Sequence, residues 1–322
     1  MERPSFGVDV IGDIHGQLAA LESLVEELGY DADGSHPEDR RLLFVGDLVD
    51  RGPASYEVSR WVADRCAEGR ALCLLGNHEL NLVEWRAGRT KPKASNRATI
   101  EQIESRPERW DPLLAFFETL PLAVELPGLR VTHAVWHQGC FDALAPALGS
   151  PGPIPVHADW APYVRLHAAY AAGAFREGMP TERFSGQWEK ALEVFVKGYE
   201  HRAAEPFTDN DGVVRDHVRA QWWLPERDEV PRDVRIVFGH YWNMPPVPRV
   251  HDAFVPPHPS GHPRLRAWLE GSHASVTGAG RRRVADGAMA VCVDFNGVTR
   301  VGERACVGAY RYPESEVVWV CR

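Results

Sequence analysis

The sequence has no run that approaches the ~18 consecutive apolar residues of a membrane helix. Its N-terminus, Met1-Glu2-Arg3-Pro4-Ser5, has no apolar signal core. The six cysteines form no CxxC pair and have no regular spacing, so nothing indicates a zinc ribbon or a disulfide framework. There is also no repeat of the kind that builds a solenoid. These absences predict a cytoplasmic protein with reduced cysteines and no membrane insertion.

Positive charge is in deficit, because 36 basic residues stand against 45 acidic ones and give a net charge of −9. That balance argues against nucleic acid as a bulk partner. The 322 residues are 44% hydrophobic and 25% charged. Such proportions are typical of a globular protein that can bury a sizeable core.

Three short polar motifs are present in the first 79 residues, each at the end of an apolar run. They are GDIHG (residues 12–16), GDLVDRG (46–52) and GNHE (76–79). Apolar runs closed by glycine are typical of buried strands, and open α/β sheets bind ligands at the carboxyl ends of their parallel strands. We therefore expect one sheet edge to gather Asp13, His15, Asp47, Asp50, Asn77 and His78. Oxygen and imidazole ligands suit Mn²⁺, Fe, Zn²⁺ or Mg²⁺, so the motifs predict a two-metal centre.

The segments between the motifs have helical periodicity. Apolar residues share one helical face over residues 18–28 and again over 58–66, which predicts alternating strands and helices with right-handed parallel crossovers. A charged helical stretch follows at about residues 97–118. Strand-like segments return at 129–135, 234–239, 289–295, 304–311 and 316–320, and short turns predict that the last three form an antiparallel meander.

The predicted fold class is α/β, with two mixed β-sheets packed as a sandwich and flanked by helices. We expect residues 1–322 to form a single domain. Within it, residues 140–232 are predicted to form a helical insertion or cap, and the mainly helical pattern covers about residues 158–232. Two proline-rich stretches, at 145–157 and 245–263, predict irregular loops.

The three motifs resemble the signature of the calcineurin-like metallophosphoesterases. The VDRG variant at residues 49–52 points to the branch that contains the phosphoprotein phosphatases and the diadenosine tetraphosphatases. That branch also has two later metal-binding histidines, and His133 and His240 follow apolar runs in the expected order. The resemblance implies the same sandwich fold and covers blocks between residues 7 and 242.

The resemblance implies two divalent metal ions, with Mn²⁺ first and Fe, Zn²⁺ or Mg²⁺ as alternatives. One carboxylate must bridge ions that lie about 3.5–4 Å apart. The implied ligands are Asp13 and His15 for one ion, Asn77, His133 and His240 for the other, and Asp47 as the bridge. Glu79 has a supporting role in the family and is not expected to bind metal.

The catalytic residues that the resemblance implies are His78, Asp50 and Arg51. His78 would protonate the leaving oxygen and Asp50 would orient its ring, while Arg51 would hold phosphate oxygens as a planar fork. A second phosphate-binding arginine is expected. Arg219 and Arg202 are both candidates, and no motif selects between them.

The leading functional hypothesis is a hydrolase of phosphate monoesters, of the serine/threonine protein phosphatase type, with a phosphorylated protein as substrate. The alternative enzyme is a hydrolase of dinucleoside polyphosphates that acts on a nucleotide. A third possibility, of another class, is a non-catalytic binding protein on a decayed scaffold. The sequence departs from the family where Val135 and Tyr241 stand in place of the usual glycine and threonine, which puts the substrate class in doubt.

A basic stretch follows the third motif, from Arg86 to Lys93. One interpretation is a solvated surface loop. The other is a rim that holds additional phosphates or acidic residues of a larger substrate.

Overall fold

The computed structural model describes the N-terminal part of the chain continuously and the remainder in segments. The described residues are 6–139, 141, 160, 164–169, 192, 194–198, 200–208, 214–219, 222, 234–241, 278–284, 290–295 and 305–322. Among the described helices, none combines the length and the apolarity that crossing a membrane requires.

Thirteen strands and five α-helices lie in the described part. The strands are β1 (Val8–Ile11), β2 (Arg41–Phe44), β3 (Ala71–Cys73), β4 (Pro121–Leu126), β5 (Leu129–Thr132), β6 (Arg165–Ala169), β7 (Glu200–Thr208), β8 (Val214–Arg219), β9 (Arg235–Phe238), β10 (Gly278–Arg283), β11 (Ala290–Cys292), β12 (Cys306–Tyr312) and β13 (Glu316–Cys321). The helices are α1 (Leu18–Leu28), α2 (Ser55–Ala67), α3 (Asn77–Arg86), α4 (Arg97–Ser105) and α5 (Pro107–Glu118), and a short 3₁₀ helix (Ala94–Asn96) precedes α4.

Two mixed sheets form the centre of the fold. The first has the order β10-β13-β12-β1-β2-β3, and the second has the order β11-β9-β5-β4-β6. In the first sheet β1, β2 and β3 are parallel, whereas β12 runs antiparallel to β1. In the second sheet β5, β9 and β11 are parallel, whereas β4 runs antiparallel to β5. The predicted fold class, two mixed sheets with helices, is confirmed.

Side chains alternate between the two faces of each sheet, and this alternation explains why the sheets pack face to face. Val8 and Val10 of β1 belong to one buried apolar cluster with Val131 of β5, so this cluster fills the space between the sheets. The opposite face of β1 carries Ile11, which belongs to a second cluster with Leu24 of α1. Because side chains alternate along a strand, one sheet buries both faces, between its partner sheet and the helices.

In each sheet, the register of pairing aligns the carboxyl ends of three parallel strands. Ile11 pairs with Phe44, and Phe44 pairs with Cys73. In the second sheet Thr132 pairs with Phe238, and Phe238 pairs with Cys292. The three N-terminal motifs therefore leave the first sheet at one level, and the segments with His133 and His240 leave the second sheet at one level.

The region of residues 140–232 differs from the prediction. Its described part contains the strands β6, β7 and β8 and a helical piece at residues 194–197, so the expectation of a mainly helical insertion is wrong for the residues that the structure describes. The side chains of the β7–β8 hairpin that the structure describes, such as Glu205 and Arg215, are mostly exposed. The hairpin therefore offers no regular spacing of apolar residues by which the sequence could identify its strands. The loop predicted at 145–157 and the one predicted at 245–263, apart from its flanks, lie outside the described residues.

Two other expectations need correction near the C-terminus. The strand β11 pairs in parallel with β9 in the second sheet, so it does not belong to the predicted three-strand meander. The antiparallel pair of β12 and β13 remains, and β10 pairs antiparallel with the other edge of β13. Cys306 and Cys321 occupy facing positions of β12 and β13, with a Cα–Cα distance of 4.1 Å, and form a disulfide. The expectation that all cysteines are reduced is wrong for this pair, because a spacing of 15 residues gives no sequence signal of the pairing.

Candidate metal centre

The carboxylate of Asp47 lies between two groups of histidines. Its Oδ2 is 3.6 Å from Nε2 of His15, and its Oδ1 is 3.6 Å from Nε2 of His133. Two sets of potential metal ligands result, each with atoms within 4.8 Å of one another: one is Asp47 with His15 and His78, the other is Asp47 with His133 and His240. A carboxylate common to both sets is the arrangement expected for a bridging ligand.

Backbone carbonyls orient two of these imidazole rings. Nδ1 of His15 lies 3.0 Å from the carbonyl of Val49, and Nδ1 of His133 lies 2.9 Å from the carbonyl of Val45. Because a carbonyl only accepts hydrogen bonds, Nδ1 is the donor in each ring and Nε2 presents its lone pair to the site. Burial, reinforced by the charge of Arg51, holds the pKa of His15 well below its ordinary value, so the ring is neutral, as a metal ligand must be.

The remaining predicted ligands join the same cluster. Oδ2 of Asp13 is 4.0 Å from Nε2 of His15, and Oδ1 of Asn77 is 3.2 Å from Nε2 of His133. The ring of His240 is 5.1 Å from that of His133, centroid to centroid, and its backbone N–H lies 3.2 Å from each carboxylate oxygen of Asp13. The structure therefore brings all six predicted ligands together.

The chemistry of this donor set fits divalent cations. Burial raises the pKa of Asp13 well above its ordinary value, and the neighbouring charges of Asp294 and Asp47 raise it further. Carboxylates that destabilise one another in a buried site are stabilised by a cation of higher charge. Oxygen and imidazole donors together suit Mn²⁺, Fe or Zn²⁺.

Strained backbone conformations coincide with this centre. Seven described residues other than glycine have a positive φ, and five of them are predicted site residues. They are His15 (50°), Asp47 (53°), Asp50 (71°), Arg51 (63°) and His240 (62°). The left-handed conformation costs about 1–2 kcal/mol per residue, and such strain is typical of functional sites.

Glu79 holds the loop that carries Asp47. Its Oε2 accepts the N–H of Asp47 at 2.8 Å, and its Oε1 accepts those of Leu48 (2.8 Å) and Val49 (3.2 Å). Burial and the charge of Asp47 raise the pKa of Glu79 to about 7, whereas the backbone donors act in the opposite direction. A Cβ on Gly76 would overlap Oδ1 of Asp47, so only glycine fits there. The family's supporting role for Glu79 thus has a counterpart in this geometry.

His78 and Asp50 form a hydrogen-bonded pair beside the centre. Nδ1 of His78 lies 2.6 Å from Oδ2 of Asp50, and its Nε2 lies 3.9 Å from Oδ2 of Asp47. Burial alone would lower the pKa of His78, but the charge of Asp47 and the hydrogen bond to Asp50 outweigh burial and raise this pKa above its ordinary value. A protonated imidazole directed at the centre suits a general acid. Its position would also allow metal ligation.

The structure describes the three candidate phosphate-binding arginines to different extents. Arg51 is exposed, and its charge lowers the pKa of both Asp13 and His15, so it lies at the mouth of the site. Arg202 is an exposed residue of β7. Arg219 of β8 pairs with Glu200 of β7, and its side chain lies outside the described set. The choice of a second phosphate-binding arginine stays a prediction.

Two arginines of the basic stretch at the end of α3 form ion pairs with acidic residues. Arg89 makes two hydrogen bonds to the carboxylate of Glu84, at 2.7 and 2.8 Å. Arg86 pairs with Asp111 at 2.6 Å. These pairs offset much of the local positive charge and favour the interpretation as a solvated surface loop.

Sequence analysis missed three buried residues near the centre. Asp294 follows β11 as the motif aspartates follow their strands, so the same pattern could have identified it. Asn96 and Thr99 both donate hydrogen bonds to Asp50. They lie at the start of α4, and no local pattern marks them, because their partner is more than 40 residues away.

Residues 6–148 match the family model of the calcineurin-like phosphoesterases. A symmetrical bis(5'-nucleosyl)-tetraphosphatase of Aromatoleum aromaticum is 40% identical over 125 residues, which cover 38% of this chain and 42% of that protein. The asymmetrical bis(5'-nucleosyl)-tetraphosphatase PrpE of Halalkalibacterium halodurans is 36% identical over 137 residues, which cover 39% of this chain and 56% of that protein. The chain thus spans about half the length of these curated relatives.

A solved structure of a protein serine/threonine phosphatase from Saccharomyces cerevisiae is also similar, with a TM-score of 0.44 and 18% identity, over 99% of this chain and 79% of that one. Likeness at this level does not bear on function. The family match covers the three N-terminal motifs and His133. Residues 6–148 therefore match the calcineurin-like phosphoesterases, which confirms the resemblance carried by those motifs.

Proposed function

We propose that this chain is a two-metal hydrolase of phosphoric esters and anhydrides. The observation that carries the proposal is the position of Asp47, whose two carboxylate oxygens face Nε2 atoms of two different histidine groups at 3.6 Å each. Asp13 and His15 would hold one divalent ion, and Asn77, His133 and His240 the other. Bound there, the two ions would supply an activated water and neutralise charge on the phosphoryl oxygens.

The side chains around the centre have separate tasks in this proposal. Arg51, at the mouth of the site, binds phosphoryl oxygens through two parallel N–H groups. His78 directs Nε2 toward the centre and gives its proton to the leaving oxygen, while Asp50 fixes the ring through Nδ1. Glu79 keeps Asp47 in place through the backbone.

The substrate class that we propose is a dinucleoside polyphosphate. Two curated relatives, one symmetrical and one asymmetrical, are named for this activity and share 40% and 36% identity with the segment that carries the motifs. This replaces the protein phosphatase hypothesis as the first to be tested, since none of these relatives' names refers to a phosphoprotein.

The test is a substrate panel with Mn²⁺, Mg²⁺, Fe²⁺ or Zn²⁺ added to chelator-treated protein. It contains diadenosine tetraphosphate, a serine- and a threonine-phosphorylated peptide, and p-nitrophenyl phosphate. We expect metal-dependent turnover, with kcat/KM highest for diadenosine tetraphosphate. Two molecules of ADP would show cleavage at the middle of the polyphosphate, and ATP with AMP would show cleavage off the middle.

Two controls make the panel decisive. Asp47→Asn should lower turnover of every substrate by about 100-fold or more, because a neutral side chain cannot bridge two cations. Higher kcat/KM on phosphopeptides would restore the protein phosphatase hypothesis. Undiminished turnover in excess chelator, or no turnover of any substrate with any metal, would overturn the proposed function.

A further inference from the structure

Asp50 receives more hydrogen bonds than its pairing with His78 requires. Its Oδ2 accepts from Nδ1 of His78 at 2.6 Å and also from Nδ2 of Asn96. Its Oδ1 accepts from Oγ1 of Thr99. Its backbone N–H donates to Oγ of Ser55 at 2.9 Å. Both carboxylate oxygens and the backbone are therefore held at once.

The four residues whose side chains hydrogen-bond to Asp50 are buried. Ser55 is fully buried, Asn96 and Thr99 are each 1% exposed, and His78 is 4% exposed. Water is therefore a poor substitute for any of these donors, and removing one leaves a buried carboxylate oxygen less well bonded. Asn96 ends the 3₁₀ helix and Thr99 is the third residue of α4, so both donors lie on an element whose packing fixes their positions.

We propose that Asn96 and Thr99 are positioning residues for His78, acting through Asp50. The inference rests on the proposed function, in which His78 is the general acid. A carboxylate held only by His78 can rotate about its Cβ–Cγ bond, and the ring that it orients then rotates with it. With Oδ1 fixed by Thr99 and Oδ2 by Asn96, the carboxylate plane has one orientation, and so does the imidazole.

The consequence for the reaction concerns the leaving oxygen. Water forms the new P–O bond and loses a proton to solvent. The old P–O bond breaks, its electron pair goes to the leaving oxygen, and that oxygen takes the proton from Nε2 of His78. An imidazole that points elsewhere cannot make this transfer, and proton transfer needs hydrogen-bond reach. A leaving group that is stable as an anion does not need the proton.

The first test measures how the rate depends on the leaving group. Thr99→Val removes a hydroxyl at nearly constant shape, and Asn96→Ala removes the amide. We expect each variant to lower kcat for phenyl phosphate by about 10- to 100-fold, part of the ~10²–10⁴ of a general acid, and kcat for p-nitrophenyl phosphate by less than about threefold. KM should change little for either ester.

Two further variants separate positioning from stability. Thr99→Ser keeps a hydroxyl and should restore most of the rate on phenyl phosphate. Ser59→Ala removes a buried hydroxyl on α2 that has no hydrogen-bond partner among the described residues, and it should leave both rates unchanged. Equal losses on both esters for Thr99→Val and Asn96→Ala, or a failure of Thr99→Ser to restore the rate, would overturn the positioning role.

A spectroscopic readout stands apart from turnover. The Nδ1 proton of His78, in its 2.6 Å contact with Asp50, should give a downfield ¹H signal that is absent in His78→Asn. We expect this signal to shift or broaden in Thr99→Val and to return in Thr99→Ser. A signal unchanged in Thr99→Val would overturn the inference even if the parent protein is active. A parent protein inactive on every ester and on diadenosine tetraphosphate would overturn the proposed function instead.

Discussion

Glu79 accepts the N–H groups of three consecutive residues in the loop that carries Asp47, so Glu79→Gln perturbs the metal centre without replacing a proposed ligand. A glutamine has one acceptor oxygen, and its NH₂ group would face backbone donors. Placed where Oε1 lies, that oxygen keeps the N–H groups of Leu48 and Val49, and the hydrogen bond from Asp47 to Oε2 is lost. At about 1.5–3 kcal/mol for a hydrogen bond to a charged acceptor, the free energy of unfolding should fall by about 1.5–3 kcal/mol.

The assay for this prediction is urea denaturation of chelator-treated protein, followed by calorimetric titration with Mn²⁺. Glu101→Gln is the matched control, because it makes the same chemical change at an exposed position of α4. We expect Glu79→Gln to weaken Mn²⁺ binding about 10-fold or more, since a loosened loop no longer presents Asp47, whereas Glu101→Gln should change neither quantity. A Glu79→Gln variant as stable as the Glu101→Gln control would refute the idea that this carboxylate holds the loop.

Two other predictions follow, one from the pKa of His78 and one from the backbone conformation of Arg51. Because the pKa of His78 is raised, its protonated form persists above its ordinary pKa near 6.5. The rate on phenyl phosphate should therefore fall only as pH rises through the raised value, and Asp50→Asn should move that fall to lower pH, whereas p-nitrophenyl phosphate should lack it. Arg51 has a φ of 63°, a conformation that glycine adopts more easily than alanine. The free energy of unfolding in urea should therefore be about 1 kcal/mol higher for Arg51→Gly than for Arg51→Ala, although both variants lose phosphate binding. Equal stabilities of the two variants would show that the turn is not strained.

The metal centre could be predicted because each of its motifs is local. The strand, the glycine and the polar residue follow one another within a few positions, and parallel register then brings the strand ends together. His133 and His240 needed the resemblance, because one histidine after an apolar run identifies no site. Asp294 also follows a strand and could have been found by the same pattern, but it was missed because it lies far along the chain from the three motifs.

The parts that sequence could not predict depend on contacts between distant residues. Asn96 and Thr99 reach Asp50 across 46 and 49 positions, and their helix has no motif that marks the contact. The prediction for the hairpin of β7 and β8 failed for another reason. The sequences of its strands, EHRAAEPFT and VRDHVR, give neither a helical nor an alternating apolar pattern, so periodicity could not assign it.

The most direct test of the central claim, that Asp47 is shared by two metal sites, is the number of Mn²⁺ ions bound per chain at equilibrium. Dialysed protein should bind two ions. Asp47→Asn should lose tight binding at both sites, whereas Asp13→Asn should keep the ion held by Asn77, His133 and His240. A parent protein that binds a single ion, or an Asp47→Asn variant that still binds two with unchanged affinity, would contradict the shared carboxylate.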